Sequence, residues 1–309
     1  MIKAIVITGP TASGKTGISL DVAEKLNGEI VSSDSMQVYK GLDIGTAKPS
    51  MEERRGIPHH MLDVVEPWEL FDVARYKEMA TECIKDIASR GKTPIIVGGT
   101  GLYVNSLVEN IQYVESEEDP DLRQELYDYA EKYGADALHK ELQKLDPKAA
   151  ENIHANNIKR VVRAIELSKI TGMTQEERNA QSKSVKGDIN YTVYAVETDR
   201  ELLYRRIEQR VDEMIEMGLV DEVISIRKRC IEAYEAGASP SPTLSQTALQ
   251  AIGYKEIFSY LDNESTLEES IEQLKLNTRR YAKRQITWFR KPKWVNWVTL
   301  EELREIYNL

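Results

Sequence analysis

The stretch Gly9-Pro10-Thr11-Ala12-Ser13-Gly14-Lys15-Thr16 decides the fold that we predict for this chain. It follows the apolar, β-branched residues 2–8, which are typical of a parallel strand buried on both faces. It precedes a helical pattern, with apolar side chains at positions 18, 20, 22, 23 and 26 and a helix stop at Asn27-Gly28. A loop with the spacing G-x-x-x-x-G-K-[ST] in this context binds phosphate groups through its backbone N–H groups. The sequence therefore predicts an α/β fold, namely a P-loop NTPase-like core with a parallel sheet.

Two further strands are predicted, and both end in polar loop residues. One covers about residues 29–32 and ends in Ser33-Asp34-Ser35, and the other covers about residues 94–97 and ends in Gly98-Gly99-Thr100-Gly101. Ligands of open parallel sheets bind outside the carboxyl ends of the strands. We therefore expect the three loops to contribute to one site.

The chain of 309 residues is long enough for one large α/β domain with an insertion. Charged residues with apolar positions at helical spacing predict an all-helical insertion domain over residues 114–190. A strand pattern over Tyr191–Glu197 then returns the chain to the core. The predicted organisation is thus a first part of the core at 1–113, the helical insertion, and a second part of the core at 191–309 with a basic C-terminal helix.

The composition, with 41% hydrophobic and 30% charged residues, is that of a globular protein. No apolar run is long enough to span a membrane, and the first strand starts too early to leave room for a signal peptide. The two cysteines stand far apart and the four histidines lack ligand spacing, which argues against disulfide scaffolds and zinc sites. We expect a monomer in the cytoplasm that makes no membrane contact.

A basic segment lies within a chain whose net charge is −10. No acidic residue occurs from Gln273 to Leu300, and this segment carries eight lysines and arginines. Such a segment is either a solvated helix face or a surface that binds nucleic-acid phosphates. The composition alone leaves both interpretations open.

The loop at residues 9–16 predicts Lys15 as a charge on a bound phosphate and Thr16 as a ligand of Mg²⁺. P-loop NTPases also hold Mg²⁺ through an acid at the end of a second buried strand. The strand at 94–97 ends in glycines and Thr100 instead. Asp34 is the remaining carboxylate at a strand end, and three roles stay open for it: an acid on the metal side, a general base, or a cap of its own loop.

Several blocks in a fixed order are more specific than the phosphate loop alone. They are GPTASGKT at 9–16, SDSMQVY at 33–39, GTAKP at 45–49, VGGTGLY at 97–103, NN at 156–157 with RVVRA at 160–164, and TRRYAKRQ at 278–285. Together they resemble the bacterial tRNA dimethylallyltransferases, the IPP transferase family, from residue 9 to about residue 290.

The resemblance implies transfer of a dimethylallyl group from dimethylallyl diphosphate to N6 of the adenosine 3′ of a tRNA anticodon. The phosphate loop would then bind the diphosphate leaving group, not ATP, with Mg²⁺ as the cofactor. Asp34 would be the general base, and the catalytic set would be Asp34, Lys15, Thr16 and Arg210. The residues implied in binding the donor diphosphate are Gly9, Pro10, Thr11, Ala12, Ser13, Gly14, Lys15 and Thr16, the last also as the metal ligand. Those implied in binding the anticodon stem-loop of tRNA are Asp34, Ser35, Met36, Gln37, Thr100, Arg123, Lys159, Arg160, Arg163, Arg280 and Arg284.

Two other activities share the phosphate loop. An adenylate isopentenyltransferase would use the same donor on free AMP or ADP, but a free nucleotide needs neither a large helical insertion nor extended basic patches. A P-loop small-molecule kinase would consume ATP. The insertion and the basic segment favour tRNA as the acceptor.

Overall fold

The computed structural model describes residues 1–113, 119–182 and 187–309. The strands are β1 Ile2–Thr8, β2 Gly28–Ser32, β3 His59–His60, β4 Thr93–Gly98, β5 Ile189–Val196 and β6 Val295–Val298. The helices are α1 Lys15–Lys25, α2 Val73–Ser89, α3 Gly101–Val108, α4 Pro120–Tyr133, α5 Ala135–Leu145, α6 Pro147–Asn152, α7 Ile158–Thr171, α8 Gln175–Ser182, α9 Arg200–Glu216, α10 Leu219–Glu235, α11 Tyr254–Leu261, α12 Leu267–Phe289 and α13 Leu300–Tyr307. None of these helices combines the length and the apolar character needed to cross a membrane.

The six strands form one sheet in the order β3-β2-β4-β1-β5-β6, and every neighbouring pair is parallel. This confirms the predicted parallel α/β fold. The edge strands β3 and β6 were not predicted, because two and four residues are too short to show a periodic pattern. Because β1 pairs with β4 and β4 pairs with β2, the loops that follow these three strands are neighbours at one edge of the sheet.

Successive residues of the central strands point to opposite faces of the sheet and pack into two separate apolar layers. Val6, Val31 and Ile96 pack into the layer formed with α2, α3, α10, α11 and α12. Their chain neighbours Ile7, Ile30 and Ile95 pack into a second layer with α1 and α13. Helices on both faces explain why consecutive residues in the middle of these strands are apolar and do not alternate with polar ones.

The chain divides into two compact units, one made of Met1–Val108 with Asp188–Leu309 and the other of Glu109–Gly187. In the second unit, helices α4–α7 surround a core that includes Leu138, Leu142 and Val161, and α8 has no buried residue. Its helix starts are capped locally, as where the Asp119 side chain accepts a hydrogen bond from the Leu122 amide. The predicted start of the insertion, residue 114, lies outside the described residues.

A buried carboxylate holds the amino end of the sheet in the first unit. Glu29 on β2 accepts hydrogen bonds from Arg90, Lys92 and His60, and its side chain is buried while the three partners are partly exposed. The hydrogen bonds from Arg90 act first among the causes that hold the pKa of Glu29 far below its ordinary value, and those from Lys92 and His60 add to them. Glu29 is therefore ionised in the folded protein at neutral pH.

We expect Glu29→Gln to lower the free energy of unfolding at pH 7 by roughly 1–3 kcal/mol, because the partly buried cations lose their counter-ion. Since the pKa of Glu29 is lower in the folded state, its contribution is complete above its ordinary pKa of 4.5 and is lost as the pH falls below that value. Urea unfolding at pH 7 and pH 3 measures both effects. Glu24→Gln, on the exposed face of α1, is the control, and an equal loss in both variants would contradict the prediction.

Candidate active site

The loops after β1 and β2 and the carboxyl end of β4 open into one cavity of about 370 Å³. Helices α9 and α12 form another part of its wall. Sequence-predicted site residues that line it are Thr11, Lys15, Thr16, Asp34, Ser35, Met36, Gln37, Arg210 and Arg284. The structure thus brings Thr11, Lys15 and Thr16 of the predicted donor set together with Asp34 and part of the predicted tRNA set, whereas the other donor residues and Thr100 do not line the cavity.

The phosphate loop has the backbone that its glycines predict. Gly14 has a φ of +89°, in the left-handed region that a residue with a Cβ rarely adopts, and α1 begins at the next residue. The free N–H groups of the first turn of α1 therefore follow the loop directly. The hydroxyl of Ser13 is buried in the loop and has no hydrogen-bond partner among the described residues. A buried donor without a partner fits an anion that occupies the loop.

Two cations face the cavity without a carboxylate partner. The described part of the chain places no acidic oxygen within 4.0 Å of the Lys15 ammonium or the Arg210 guanidinium. Lys15 Nζ donates to the carbonyl of Pro10 at 3.0 Å, and Arg210 Nη1 contacts Thr11 Oγ1 at 3.4 Å. Burial first, and the Arg210 charge second, lower the pKa of Lys15 to about 8, while Asp34 acts in the opposite direction. This pair therefore places two positive charges at the phosphate loop.

The carboxylate of Asp34 has one oxygen engaged and one available. Its Oδ1 accepts hydrogen bonds from the amides of Met36 at 2.9 Å and Gln37 at 3.3 Å, so Asp34 does cap its own loop. Its Oδ2 accepts no hydrogen bond from any described residue. The charge of Asp34 nevertheless opposes the lowering of the Lys15 and Arg210 pKa values, which places it in their field. The carboxylate can hold its loop and accept a proton at the same time.

Thr100 connects the loop after β4 with the Asp34 loop. The amide of Ser35 donates to Thr100 Oγ1 at 3.0 Å, and this hydroxyl donates to Ser35 Oγ at 3.2 Å. The Thr100 amide donates to the carbonyl of Ser33 at 3.2 Å. Ser33 and Ser35, the chain neighbours of Asp34, are therefore both hydrogen-bonded to Thr100.

The GTAKP block at 45–49 is held in place by two charged residues that had no role in the sequence analysis, Lys48 within the block and Glu222 outside it. Lys48, with a side chain 3% exposed, donates to Asp43, Asp63 and the carbonyl of Tyr39. Glu222 on α10 accepts from the amide of Ile44 at 2.8 Å. The block itself was the only sequence signal for Lys48, and Glu222 lies too far along the chain for any local pattern to show the contact.

Gln37 and Tyr281 both line the cavity. The side-chain amide of Gln37 donates to the carbonyls of Thr46 and Ala47. This predicted tRNA contact therefore also fixes the GTAKP block. Tyr281, on α12, also lines the cavity, although it was not among the predicted site residues. Burial, followed by the charge of Asp34, raises the pKa of Tyr281, which keeps its phenol protonated. A neutral hydroxyl donor therefore stands near Asp34.

A profile of the family described as IPP transferase matches residues 37–292 of the chain. This match covers most of the chain and includes α12 and the second unit. The chain belongs to the IPP transferase family.

Full-length relatives in the family support this assignment. The tRNA dimethylallyltransferase of Halalkalibacterium halodurans is 45% identical over 99% of this chain and 96% of its own length. That of Acetivibrio thermocellus is 48% identical over 98% of this chain and 93% of its own length. A crystal structure of the tRNA isopentenylpyrophosphate transferase from Bacillus halodurans covers 100% of this chain and 95% of its own, with 44% identity and a TM-score of 0.70. A eukaryotic dimethylallyltransferase solved while acting on tRNA covers 94% of this chain and 70% of its own, with 35% identity and a TM-score of 0.74.

In this member of the IPP transferase family, the basic segment divides into paired and unpaired cations. Lys275 pairs with Asp212 on α9 at 2.7 Å, and Arg279 pairs with Glu208 on the same helix. The described residues provide no acidic partner for three cations farther along α12, namely Arg280, Lys283 and Arg284. The Arg284 guanidinium lies over the ring of Tyr281, 5.6 Å from its centroid. The sequence predicted Arg280 and Arg284 for tRNA, and the structure leaves both exposed.

The second unit carries the other predicted tRNA contacts. Arg123 and Arg163 both bind the carboxylate of Glu166, whose side chain is fully buried, at 2.8 and 2.6 Å. Burial would raise the pKa of Glu166, but the hydrogen bonds from Arg163 and Arg123 lower it below its ordinary value. Lys159 and Arg160, at the start of α7, are exposed and have no acidic partner among residues 119–182 and the other described segments. Arg123 and Arg163 are thus held in place by a carboxylate, whereas Lys159 and Arg160 extend into solvent.

Proposed function

We propose that the chain transfers a dimethylallyl group from dimethylallyl diphosphate to N6 of the adenosine 3′ of the anticodon in tRNA. The observation that carries the proposal is the arrangement around one cavity of a phosphate loop, two cations without carboxylate partners and a carboxylate with a free oxygen. The names of the relatives support the same substrates. A kinase is disfavoured because β4 ends in Gly98 and is followed by Gly99 and Thr100, without the acid that NTPases place there.

On the donor side, the bond between the allylic carbon and the diphosphate oxygen breaks, and negative charge develops on the departing diphosphate. We assign Lys15, Arg210, the loop amides and the Ser13 hydroxyl to this charge. These groups are already oriented in a partly buried site, so they stabilise the leaving group without reorganisation during the reaction. Loop residues Gly9, Pro10, Ala12 and Gly14 contribute backbone only, and Thr11 and Thr16 contribute hydroxyls.

On the acceptor side, adenine N6 attacks the allylic carbon and becomes positively charged. We assign Asp34 Oδ2 as the acceptor of the N6 proton, because Oδ1 is committed to the loop amides. The adenosine has to leave the stack of the anticodon loop to reach this oxygen. We assign Ser35, Met36 and Gln37, which line the cavity beside Asp34, to contacts with the base, and Thr100 holds Ser35 in place. Tight alignment of the donor carbon and N6 accelerates the transfer.

Mg²⁺ is the cofactor that we propose for the diphosphate. The described residues contain no group of three or more histidine, cysteine or acidic side chains that would enclose a metal ion. Mg²⁺ usually keeps several waters and is bound by one or two protein oxygens together with substrate phosphates. The hydroxyl of Thr16, on the cavity, would be the protein ligand of such an ion, and the diphosphate and water would supply the other oxygens. When bound, it supplies positive charge for the leaving group.

For the tRNA, we propose Arg280 and Arg284 on α12 and Arg123, Lys159, Arg160 and Arg163 on the second unit as backbone contacts. Those of them that are exposed and lack acidic partners among the described residues are free to replace the counter-ions of an RNA backbone. We place the reaction in the cytoplasm, where tRNA is found. A monomer suffices, because one chain carries every residue that the proposal uses.

We expect the Arg280→Ala, Arg284→Ala double variant to raise the KM for tRNA and to reduce the slope of log Kd against log salt by roughly 1–2. Pyrophosphate affinity should stay nearly unchanged. Filter binding of unmodified tRNA at several salt concentrations provides the measurement. The matched control is Lys275→Ala, Arg279→Ala, which removes the same charge from the same helix at positions already neutralised by α9. Equal salt slopes in both double variants would assign Arg280 and Arg284 to a solvated face.

The decisive experiment is mass spectrometry of tRNA nucleosides after incubation of the purified protein with dimethylallyl diphosphate, Mg²⁺ and unmodified tRNA. A prenylated adenosine 3′ of the anticodon is the expected product. Prenylation of free AMP or ADP in preference to tRNA would identify an adenylate isopentenyltransferase instead. ATP should fail to compete at concentrations at which pyrophosphate does, and phosphate release from ATP would identify a kinase or NTPase.

A further inference from the structure

The side chain of Gln285 joins two loops of the cavity from the inner face of α12. Its Oε1 accepts a hydrogen bond from the Thr11 amide at 2.9 Å, and its Nε2 donates to the carbonyl of Gly99 at 2.9 Å. The side chain is buried, with the residue only 5% exposed. Both ends of one amide are therefore used, one on the phosphate loop and one on the loop after β4.

The contact with the loop after β4 is close enough to dictate the residue type there. A Cβ on Gly99 would lie 2.0 Å from Gln285 Nε2, where no side chain fits without displacing the amide. One turn farther along α12, Trp288 Nε1 donates to Asn105 on α3 at 3.3 Å. One side of α12 therefore contacts both the loop after β4 and helix α3, which follows that loop.

The bridge continues from Gly99 to the loop that carries Asp34. Thr100, the next residue, donates its amide to Ser33 and accepts the amide of Ser35 on its hydroxyl. Ser33 and Ser35 flank Asp34 on both sides. The side chain of Gln285 therefore links the phosphate loop, through Thr11, to the residues that support the Asp34 loop.

We propose that Gln285 is a positioning residue, whose side-chain amide sets the phosphate loop and the Asp34 loop at a fixed separation. This inference rests on the function proposed above, because the separation matters only if a group moves from a diphosphate toward a base at Asp34. A displacement of about 1 Å between reacting groups can cost about 10²-fold in rate. Loss of the bridge should therefore lower the rate of transfer more than the affinity for either substrate.

The first test compares Gln285→Leu with Gln273→Leu, an exposed glutamine on the same helix. We expect Gln285→Leu to lower the single-turnover rate of transfer to tRNA by roughly 10–100-fold, with the Kd for pyrophosphate and for tRNA changed less than the rate. Gln273→Leu should match the wild type. A wild-type rate in Gln285→Leu would overturn the inference and leave the proposed function standing.

The second test uses Gln285→Glu, which separates positioning from a general loss of structure. When ionised, the introduced carboxylate keeps an acceptor for the Thr11 amide but opposes the carbonyl of Gly99, whereas the protonated acid supplies both an acceptor and an O–H donor. The rate of the variant relative to wild type should therefore rise as the pH falls toward about 5, near the ordinary pKa of a glutamic acid. Lys15, Arg210 and Arg284 on the same cavity favour the ionised form of the introduced acid, whereas burial, the charge of Asp34 and the carbonyl of Gly99 favour the protonated form. A constant ratio, as expected for Gln285→Leu, would contradict the bridge.

A third measurement reports on the bridge independently of any reaction. Hydrogen exchange of the Thr11 amide, followed by NMR, should be slow in the wild type, faster in Gln285→Leu and slow in Gln285→Glu, whose carboxylate still accepts this N–H. Equal exchange in all three proteins would overturn the inference even if tRNA is prenylated. If the wild type fails to prenylate tRNA, the proposed function falls, and the same exchange data decide whether Gln285 holds the loop.

Discussion

Asp34→Asn is expected to lower the single-turnover rate of dimethylallyl transfer to tRNA by at least about 10²-fold, the usual size of a general-base contribution. The substituted side chain keeps an oxygen that accepts from the amides of Met36 and Gln37, so the loop should retain its conformation. The free oxygen becomes an amide nitrogen, which cannot accept the proton of N6. The affinities for tRNA and pyrophosphate should change much less than the rate, because the lost interaction forms mainly in the transition state.

A Mg²⁺ titration of the same variant separates the two chemical roles of Asp34. If Asp34 acts chiefly on the metal side, excess Mg²⁺ should restore most of the rate, and this outcome would contradict the assignment as a base. A rate defect that persists with saturating tRNA, donor and Mg²⁺ agrees with it. Asp34→Ala provides the contrast, because it also removes the cap of the loop and should weaken tRNA binding as well.

Lys15→Met is expected to reduce pyrophosphate affinity by roughly 10²-fold or more, since a partly buried ammonium contributes a charge-assisted hydrogen bond to the diphosphate. In the wild type, pyrophosphate affinity should fall as the pH rises above about 8, the pKa to which burial lowers Lys15. The variant should lack this pH dependence. Isothermal titration calorimetry from about pH 7 to about pH 9.5, a range that brackets this pKa, tests both statements, with Lys25→Met at the exposed end of α1 as the control. A similar pH dependence in Lys15→Met and wild type would assign the titration to another group.

The same substitution should stabilise the free protein. The pKa of Lys15 is lower in the folded state than the ordinary value of 10.5, so the folded state binds this proton less tightly than the unfolded state does. At pH 7 the charged side chain therefore costs free energy, and Lys15→Met should raise the free energy of unfolding by roughly 1–3 kcal/mol. The difference should shrink as the pH rises from about 8 to 10.5. Lower stability of Lys15→Met at pH 7 would show that packing of the lysine stem outweighs the cost of its charge.

The sequence by itself was sufficient for the parallel α/β core and for the phosphate loop, because both depend on local patterns. A β-branched run before Gly9 and an apolar helical pattern after Thr16 specify strand, loop and helix without distant contacts. The polar residues after β2 and β4 are also local, and parallel pairing alone places them at one edge of the sheet. The family followed from the order of several such blocks.

Which cations are paired with acids, and which side-chain amide links distant loops, became visible in the tertiary structure alone. The acid-free segment looks uniform in sequence, but Asp212 and Glu208 on α9 neutralise Lys275 and Arg279 and leave Arg280, Lys283 and Arg284 available. Gln285 stands 274 residues from Thr11, and their hydrogen bond exists only because α12 packs against the carboxyl edge of the sheet. Lys48 and Glu222 depend in the same way on distant partners. Hydrogen bonds and ion pairs require contact within about 3–4 Å, and the distance along the chain says nothing about that contact until the helices have packed.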